Sequence, residues 1–573
     1  MRWILYSFFF LVLLSACQSD SESTEKADLI LYNAQIYTVS EAMPTAEAVA
    51  VKDGNILLVG DSASVFASRQ ETTELIDLQG QFMMPGFIEG HGHFSGLGGS
   101  LMNLNFLRSK SWDEIVAMVA EKVKTAEPGE WITGRGWHQE KWIVPIDEHV
   151  HGYPYHDKLS EISPDNPVLL RHASGHSLFA NAKAMEIAGV SIETPNPSGG
   201  EIVRDSRGNA IGVFEERAMN IIGQAYQEYL SGLSEEQRKS QWLKGIELAQ
   251  EECLKKGITS FQDAGSRFYE IDSYKELADA GELDLRLWVM LRHPYEEMKD
   301  NMEGLPVIDY GNGYFTCRAV KSEVDGALGA FGAWLLSSYD DKADFVGQNT
   351  TQLETVSNIA DLCLEHDMQL CVHAIGDRAN REVLNIFAEK FSELPEKQDL
   401  RWRIEHAQHL DPEDIPRFSE LGVIAAMQGI HCTSDAPFVV KRLGEKRARE
   451  GAYPWRSLLD AGAVVGNGTD APVEDVDPIE SFYATVTRKR ADTGMEFFPE
   501  QAMTRAEAIR SYTWSNAYAA FEEEKKGSIE AGKYADLVVL SKNLMDCPDE
   551  EIMDTQILLT IVDGKIKYDG RNN

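Results

Sequence analysis

Between residues 82 and 468 the chain carries eight short apolar runs, at 82–89, 259–263, 285–291, 319–324, 369–373, 402–406, 423–427 and 463–468. Stretches of helical period, such as 235–255, 351–365 and 378–391, fall between them. Strands that alternate with helices pair in parallel through crossover connections, and eight such units close a sheet on itself. The expectation is an α/β fold, a (β/α)8 TIM barrel over 85–520. The gap between the first and second runs is far longer than one βα unit. It must hold an insertion, over about 97–240, and long βα loops of a barrel sit above its active face. Towards both ends the pattern changes to short apolar runs with turn signals, as in Ala48-Val-Ala-Val, Lys52-Asp-Gly-Asn and Ala535-Asp-Leu-Val-Val-Leu. Residues 28–84 and 521–573 are therefore expected to form one small β-sandwich built from both chain ends.

Side chains that carry chemistry begin where the apolar runs stop. The run Pro85-Gly-Phe-Ile-Glu-Gly-His91-Gly-His93 ends in two histidines at strand period two, so both imidazoles point to one side and can reach one ion. Cys371-Val-His373 and Arg403-Ile-Glu-His406 each end in histidine, and Val465-Gly-Asn-Gly-Thr-Asp470 ends in a carboxylate. Taken singly, each is equally a core histidine or a capping aspartate. A barrel presents all its strand C-termini on one face, so four such endings in order describe a metal centre.

On these residues the chain resembles the amidohydrolase superfamily, in particular amidohydrolase family 3 and its metal-dependent hydrolases that include N-substituted formamide deformylases. The resemblance also runs through Val320-Lys321-Ser-Glu-Val-Asp325-Gly, Gly468-Thr-Asp470-Ala-Pro-Val and Gly527-Ser-Ile-Glu-Ala-Gly. It implies that His91 and His93 hold one divalent ion, that His373 and His406 hold a second, and that Lys321 bridges them as a carbamate. Asp470 would bind metal and handle the proton. Zn²⁺ is the expected ion, one or two per chain. A lysine ligates only after losing its proton and taking up CO₂, which a desolvated site beside cations favours. Glu323 and Asp325 share its strand face, and either carboxylate could take the bridge instead.

The implied activity is hydrolysis of non-peptide carbon–nitrogen bonds (amide, formamide or N-acyl) in a small-molecule substrate, by a metal-activated hydroxide with Asp470 as general base. The rivals are an esterase, lyase or isomerase of the same fold and a non-catalytic lipoprotein that binds a small molecule. Two segments of the insertion, Gly134-Arg-Gly-Trp137-His138 and Arg171-His-Ala-Ser-Gly-His176, resemble parts that line the substrate cavity. They make His176 a candidate polar contact, and Trp137 and Trp142 either cavity walls or lid packing. His138, His149, His151, His156 and His172 read as surface or loop residues. Many relatives carry Asp-Ser-His-x-His where this chain has Glu89-Gly90-His91-Gly92-His93, and the two glycines read as opening the ligand strand.

A net charge of −38 leaves no basic surface for phosphate backbones and excludes nucleic acid as a partner. The chain has no Gly-x-Ser-x-Gly elbow, P-loop or dinucleotide fingerprint. Six cysteines beyond Cys17 lack C-x-x-C spacing; several lie in apolar runs and read as buried small hydrophobes rather than disulfide partners. Assembly into a homo-oligomer is left open.

Residues 1–16 combine Arg2 with a short apolar run, as an export signal does, and Leu14-Ser-Ala-Cys17 resembles the lipobox of bacterial lipoproteins. The expectation is cleavage before Cys17, diacylation of its thiol, and a polar tether over 17–27. The protein would then be exported and lipid-anchored to a bacterial membrane, facing the periplasm from the outer membrane in a Gram-negative host. A Cys17→Ser variant should lose the lipid and move to the soluble fraction, because two acyl chains give the stable anchoring that one does not. Mass spectrometry of the mature N-terminus checks this, and an unmodified terminus at another residue would refute it.

Overall fold

The computed structural model describes residues 25–571 apart from 107–108, 140–141, 145, 173–176, 198–199, 330 and 395–398. The export signal, Cys17, most of the tether and His176 therefore lie outside the described residues. The central sheet has eight parallel strands: β1 (Phe87–Gly92), β2 (Ile258–Ser266), β3 (Arg286–Leu291), β4 (Phe315–Glu323), β5 (Gln369–Ala374), β6 (Arg403–His406), β7 (Ile424–Gln428) and β8 (Val465–Gly468). They pair in chain order. Together they make a nearly closed parallel barrel of the TIM type.

The first apolar run splits in two, which corrects its reading as one strand. Phe82–Pro85 pairs antiparallel with Leu537–Leu540, near the other end of the chain. Pro85 has no N–H to continue a ladder. At the next two residues Gly86 donates to the Asp536 carbonyl at 2.9 Å and Phe87 to that of Gly257 at 3.1 Å, and β1 begins there.

The helix Glu235–Lys255 illustrates how the barrel's cover is written locally. Ser234 and Gln237 form a reciprocal capping box, Glu235 and Glu236 sit in the first turn and Lys255 in the last, each matching the helix dipole. Ile246, Ala249, Cys253 and Leu254 make its buried stripe. Alternate strand residues such as Leu287, Val289, Val320, Leu370, Val372 and Ile404 join the same core between sheet and helices. The opposite faces of these strands place Ala264, Trp288, Met290, Ala319 and Cys371 in a separate cluster inside the barrel. All six cysteines among the described residues are free, five of them buried.

The insertion folds into a six-stranded sheet of its own, in the order Gly200–Arg204, Ala210–Glu216, Ser177–Ala180, Val168–His172, Ile132–Trp137 and Leu104–Asn105. Trp112, Trp137, Phe179 and Val213 pack on one side of it. A second six-stranded sheet interleaves both chain ends: Lys565–Asp569, Ile557–Val562 and Leu537–Leu540 lie beside Phe82–Pro85, Gln35–Tyr37 and Thr45–Ala46. Its Met83, Leu537, Val539 and Ile561 share a core with Leu31, Val49 and Val51 of a four-stranded N-terminal sheet. Buried Arg286, at the start of β3, binds Asp536 through Nε at 2.7 Å and ties this unit to the barrel.

Between β8 and β1 side chains stand in for a hydrogen-bonded ladder. The buried Asn516 amide donates to the carbonyls of Ile88 and Asn467, each at 2.7 Å, and so bridges the two strands. Beyond it Thr469 N–H reaches the Glu89 carboxylate at 2.6 Å, and Asp470 N–H reaches the His91 carbonyl at 2.7 Å. Gly90 is required here: a Cβ on it would lie 2.5 Å from the Asn467 carbonyl oxygen and 2.6 Å from Asn516 Oδ1. A Cβ on Gly92 would meet the Phe261 ring at 2.5 Å. This corrects the reading of these glycines as opening the strand, since neighbours fill the space beside both. Asn516→Ala should strand two buried carbonyls and cost about 2–4 kcal/mol of stability. Urea unfolding checks this, and an unmoved transition would show that the bridge is dispensable.

Candidate metal centre

The C-terminal ends of the barrel strands bring the expected residues together. His91 is fully buried in β1, and His93 follows it with its side chain 32% exposed, at the mouth of the barrel. Asp470, just past β8, turns Oδ1 to within 3.2 Å of His93 Nε2 and 3.6 Å of His91 Nε2. The His406 ring lies 4.7 Å from that of His91 and 4.4 Å from that of His373, between centroids. His406, Ala407 and Asp470 all have positive φ (74°, 42° and 59°), a conformation that costs a non-glycine residue about 1–3 kcal/mol and clusters at functional sites.

Burial sets the protonation of these rings first. It lowers the pKa of His91 to about 4 and of His373 to about 3, and takes His406 well below the usual range, so all three are neutral with a lone pair to give. Burial alone would raise Asp470. His93, its Nε2 3.2 Å away, opposes burial more strongly and holds the carboxyl well below the usual carboxylate range.

Beneath the rings lies a polar network. Glu405 accepts from His91 Nδ1, and Arg403 grips Glu405 through Nε at 2.6 Å and Nη2 at 3.0 Å while also donating to the Gly90 carbonyl at 2.8 Å. The two charges compensate one another in an environment that would penalise either alone. Glu405 thus fixes the His91 tautomer and turns Nε2 outward, the arrangement that orients histidine ligands at metal sites. His406 is fixed likewise, with Nδ1 2.7 Å from Gln428 Oε1.

The residues fit a divalent metal. His91 Nε2, His373 Nε2 and Asp470 Oδ1 are buried with no hydrogen-bond partner among the described residues. A cluster of orphaned lone pairs is costly unless a cation satisfies it. Two groups have ligand atoms within 4.8 Å of one another, His91 with His93 and Asp470, and His406 with His431 and Asp470. Nitrogen and carboxylate donors of this kind suit Zn²⁺ or a related ion.

The three candidates for a bridge part company. Lys321 is 4% exposed; burial drives its amine below the usual lysine range, against the pull of Glu405 and Asp470. Glu323 is 42% exposed and paired with Arg292. Asp325 is buried and accepts the backbone N–H groups of Trp334, Ile375 and Gly376 at 2.8–2.9 Å, with Oδ1 3.6 Å from His373 Nε2.

Trp137 lies fully inside the core of the insertion, its indole N–H bonded to the Leu170 carbonyl at 2.8 Å, with the Trp142 ring at 6.5 Å. These contacts match lid packing. His172 is buried against Trp137 and His138 at 4.5 Å, which corrects its reading as a surface residue. Sequence reasoning gave no role to Glu405, Arg403, Gln428 or His431. The strand-end pattern that found His373 stops short of His431, which stands in the helix Gly429–Ser434 that begins directly after β7.

A parallel eight-stranded barrel with imidazoles and a carboxylate gathered at its strand C-termini is the architecture of metal-dependent barrel hydrolases. The amidohydrolase family model matches residues 74–568, and the chain belongs to that family. It is 30% identical over 551 residues to Protein LONG AFTER FAR-RED 3 of Arabidopsis thaliana, covering 95% of this chain and 92% of that one. It is 28% identical over 563 residues to the N-substituted formamide deformylase of Arthrobacter pascens, covering 95% and 99%. Among solved structures, an uncharacterized metal-dependent hydrolase from Pyrococcus furiosus superposes with a TM-score of 0.70 at 26% identity, over 90% of this chain and 100% of that one.

Removing the charge beneath His91 should weaken the centre without emptying it. Glu405→Gln is expected to lower metal affinity by about 10–100-fold, the usual scale for losing a residue that orients a ligand. Titration against a competing chelator measures this, and unchanged affinity would refute the orienting role.

Proposed function

We propose that the protein hydrolyses non-peptide carbon–nitrogen bonds in small N-formyl or N-acyl compounds at a divalent metal centre. The observation that carries this reading is the set of buried, unpartnered imidazole nitrogens gathered around the Asp470 carboxylate. The likeness to the N-substituted formamide deformylase supports the formamide and N-acyl classes. His91, His93, His373, His406 and Asp470 would hold the metal, Zn²⁺ being the ion we propose, and Lys321 would join them as a carbamate. The deprotonation that a carbamate needs is eased by the burial of Lys321. A divalent ion there would acidify water and polarise the carbonyl to be attacked. Asp470 takes the proton of the attacking water and returns it to the leaving nitrogen, from its place at the mouth of the barrel beside His91 and His93. Glu405 keeps His91 in one tautomer throughout, and Arg403 keeps Glu405 charged. His176 is retained as a polar contact to substrate.

Purified protein assayed against N-formyl amines, N-acyl amines and aryl esters tests the class. Chelation should abolish turnover and Zn²⁺ should restore it. Asp470→Asn, with metal content measured in the same sample, should lower kcat by about 10² or more. Full turnover without metal, or wild-type turnover by a metal-loaded Asp470→Asn, would overturn the reading.

A further inference from the structure

Three imidazoles around Asp470 are held through Nδ1, and their holders differ in kind. His91 faces the Glu405 carboxylate and His406 faces Gln428 Oε1. The Gln428 amide is oriented independently, because its Nε2 donates to the Ala426 carbonyl at 3.1 Å. Both partners accept, so both rings carry their proton on Nδ1 and keep a lone pair on Nε2 for a metal.

His431 is the reverse case. Its Nδ1 lies 3.0 Å from the amide nitrogen of Gln408, which is a donor. Nδ1 must then accept, and the neutral ring carries its hydrogen on Nε2. That Nε2 is buried and has no partner among the described residues. The ring stacks 6.3 Å from His406, and His431 offers a nitrogen within 4.8 Å of the ligand atoms of His406 and Asp470. A nitrogen that bears hydrogen has no lone pair for a metal. It is a buried hydrogen-bond donor on a ring that lies beside His406 and Asp470.

The position is also a fixed one. His431 sits in the helix Gly429–Ser434, whose first N–H groups bind Asn467 Oδ1 at 2.7 Å and Ser481 Oγ at 3.1 Å. A donor held in advance stabilises developing charge without reorganising when the charge appears.

We infer that His431 is a catalytic hydrogen-bond donor and not a metal ligand: its Nε2–H binds the carbonyl oxygen of the scissile amide and stabilises the negative charge that this oxygen gains. The inference rests on the amide-hydrolase reading above. Water adds its oxygen to the carbonyl carbon while Asp470 takes one of its protons, and the π pair of the carbonyl moves onto the oxygen facing His431. When the double bond re-forms, the carbon–nitrogen pair leaves with the nitrogen. The proton from Asp470 then completes the amine beside a carboxylic acid.

The test uses the zinc-loaded, full-length protein. His431→Phe should keep its zinc stoichiometry and affinity while kcat on an N-formyl amine falls about 10²–10³-fold, the scale of a lost oxyanion donor. His431→Asn, which still offers an N–H, should recover part of the loss. Gln408→Glu leaves His431 in place but reverses its tautomer, and should lower kcat in the same way. In ¹⁵N-histidine spectra of the wild type, the ring identified by its absence from His431→Asn should carry its proton on Nε2. Loss of a zinc equivalent in His431→Phe, or an unprotonated Nε2 in the spectrum, would make His431 a ligand and overturn the inference. If the wild type hydrolyses no N-formyl, N-acyl or ester compound, the hydrolase reading fails by itself. The zinc titration and the spectrum still decide which role His431 plays.

Discussion

The hydrogen bond from the Asp470 N–H to the His91 carbonyl joins the end of the last barrel strand to the end of the first, and the candidate metal centre is assembled because that seam is closed. His91 and Asp470 are far apart in the chain and belong to strands at opposite ends of the pairing order. An open sheet would leave the imidazoles of β1 and the carboxylate after β8 on separate edges. Closure makes them neighbours at 3.6 Å. The seam is stitched by Asn516, Thr469 and Glu89, so a few buried polar side chains carry what elsewhere a whole ladder carries. Glycine at position 90 follows from the same constraint, because any side chain there would push the strands apart.

Inside the barrel Ala264, Trp288, Met290, Ala319 and Cys371 form an apolar cluster. Beside it in strand register, Gln262 pairs with Trp288, and Lys321 and Arg403 with Cys371. These charged and polar groups, with Glu405 and Glu89, are all buried and would be prohibitive singly. Arg403 and Glu405 compensate each other and pass their order to His91. Burial pushes the Glu89 carboxyl up to about 8 while it accepts the backbone N–H of Thr469 that places Asp470. The same low-polarity surroundings that neutralise His91, His373 and His406 therefore leave them with lone pairs free to bind, and the positive φ of His406 and Asp470 is the local backbone cost of aiming them.

Much of this was legible along the chain. Period-two spacing places His91 and His93 on one face, and the apolar runs that stop at His373, His406 and the approach to Asp470 mark strand ends that a barrel must gather. The run 82–89 reads as one strand across the boundary at Pro85, because an apolar run does not announce which sheet each part of it joins. His431 escaped because it stands one turn into a helix, where strand periodicity no longer applies. Gln408 and Gln428 are uncharged, fit no metal motif, and acquire meaning only through the nitrogen each one faces.

The sequence by itself determined the alternation of strand and helix, the number of barrel strands and the identity of most of the side chains at their ends. These follow from local rules of period and propensity that act within a few residues. Tertiary structure alone decided that Lys321 is buried while Glu323 pairs with Arg292 and Asp325 accepts backbone N–H groups, and which histidines face an acceptor and which a donor. Those facts depend on the pairing of residues from different strands across a closed barrel. No periodicity encodes such a contact, because it is created only when distant segments exclude water together and must satisfy one another's polar groups.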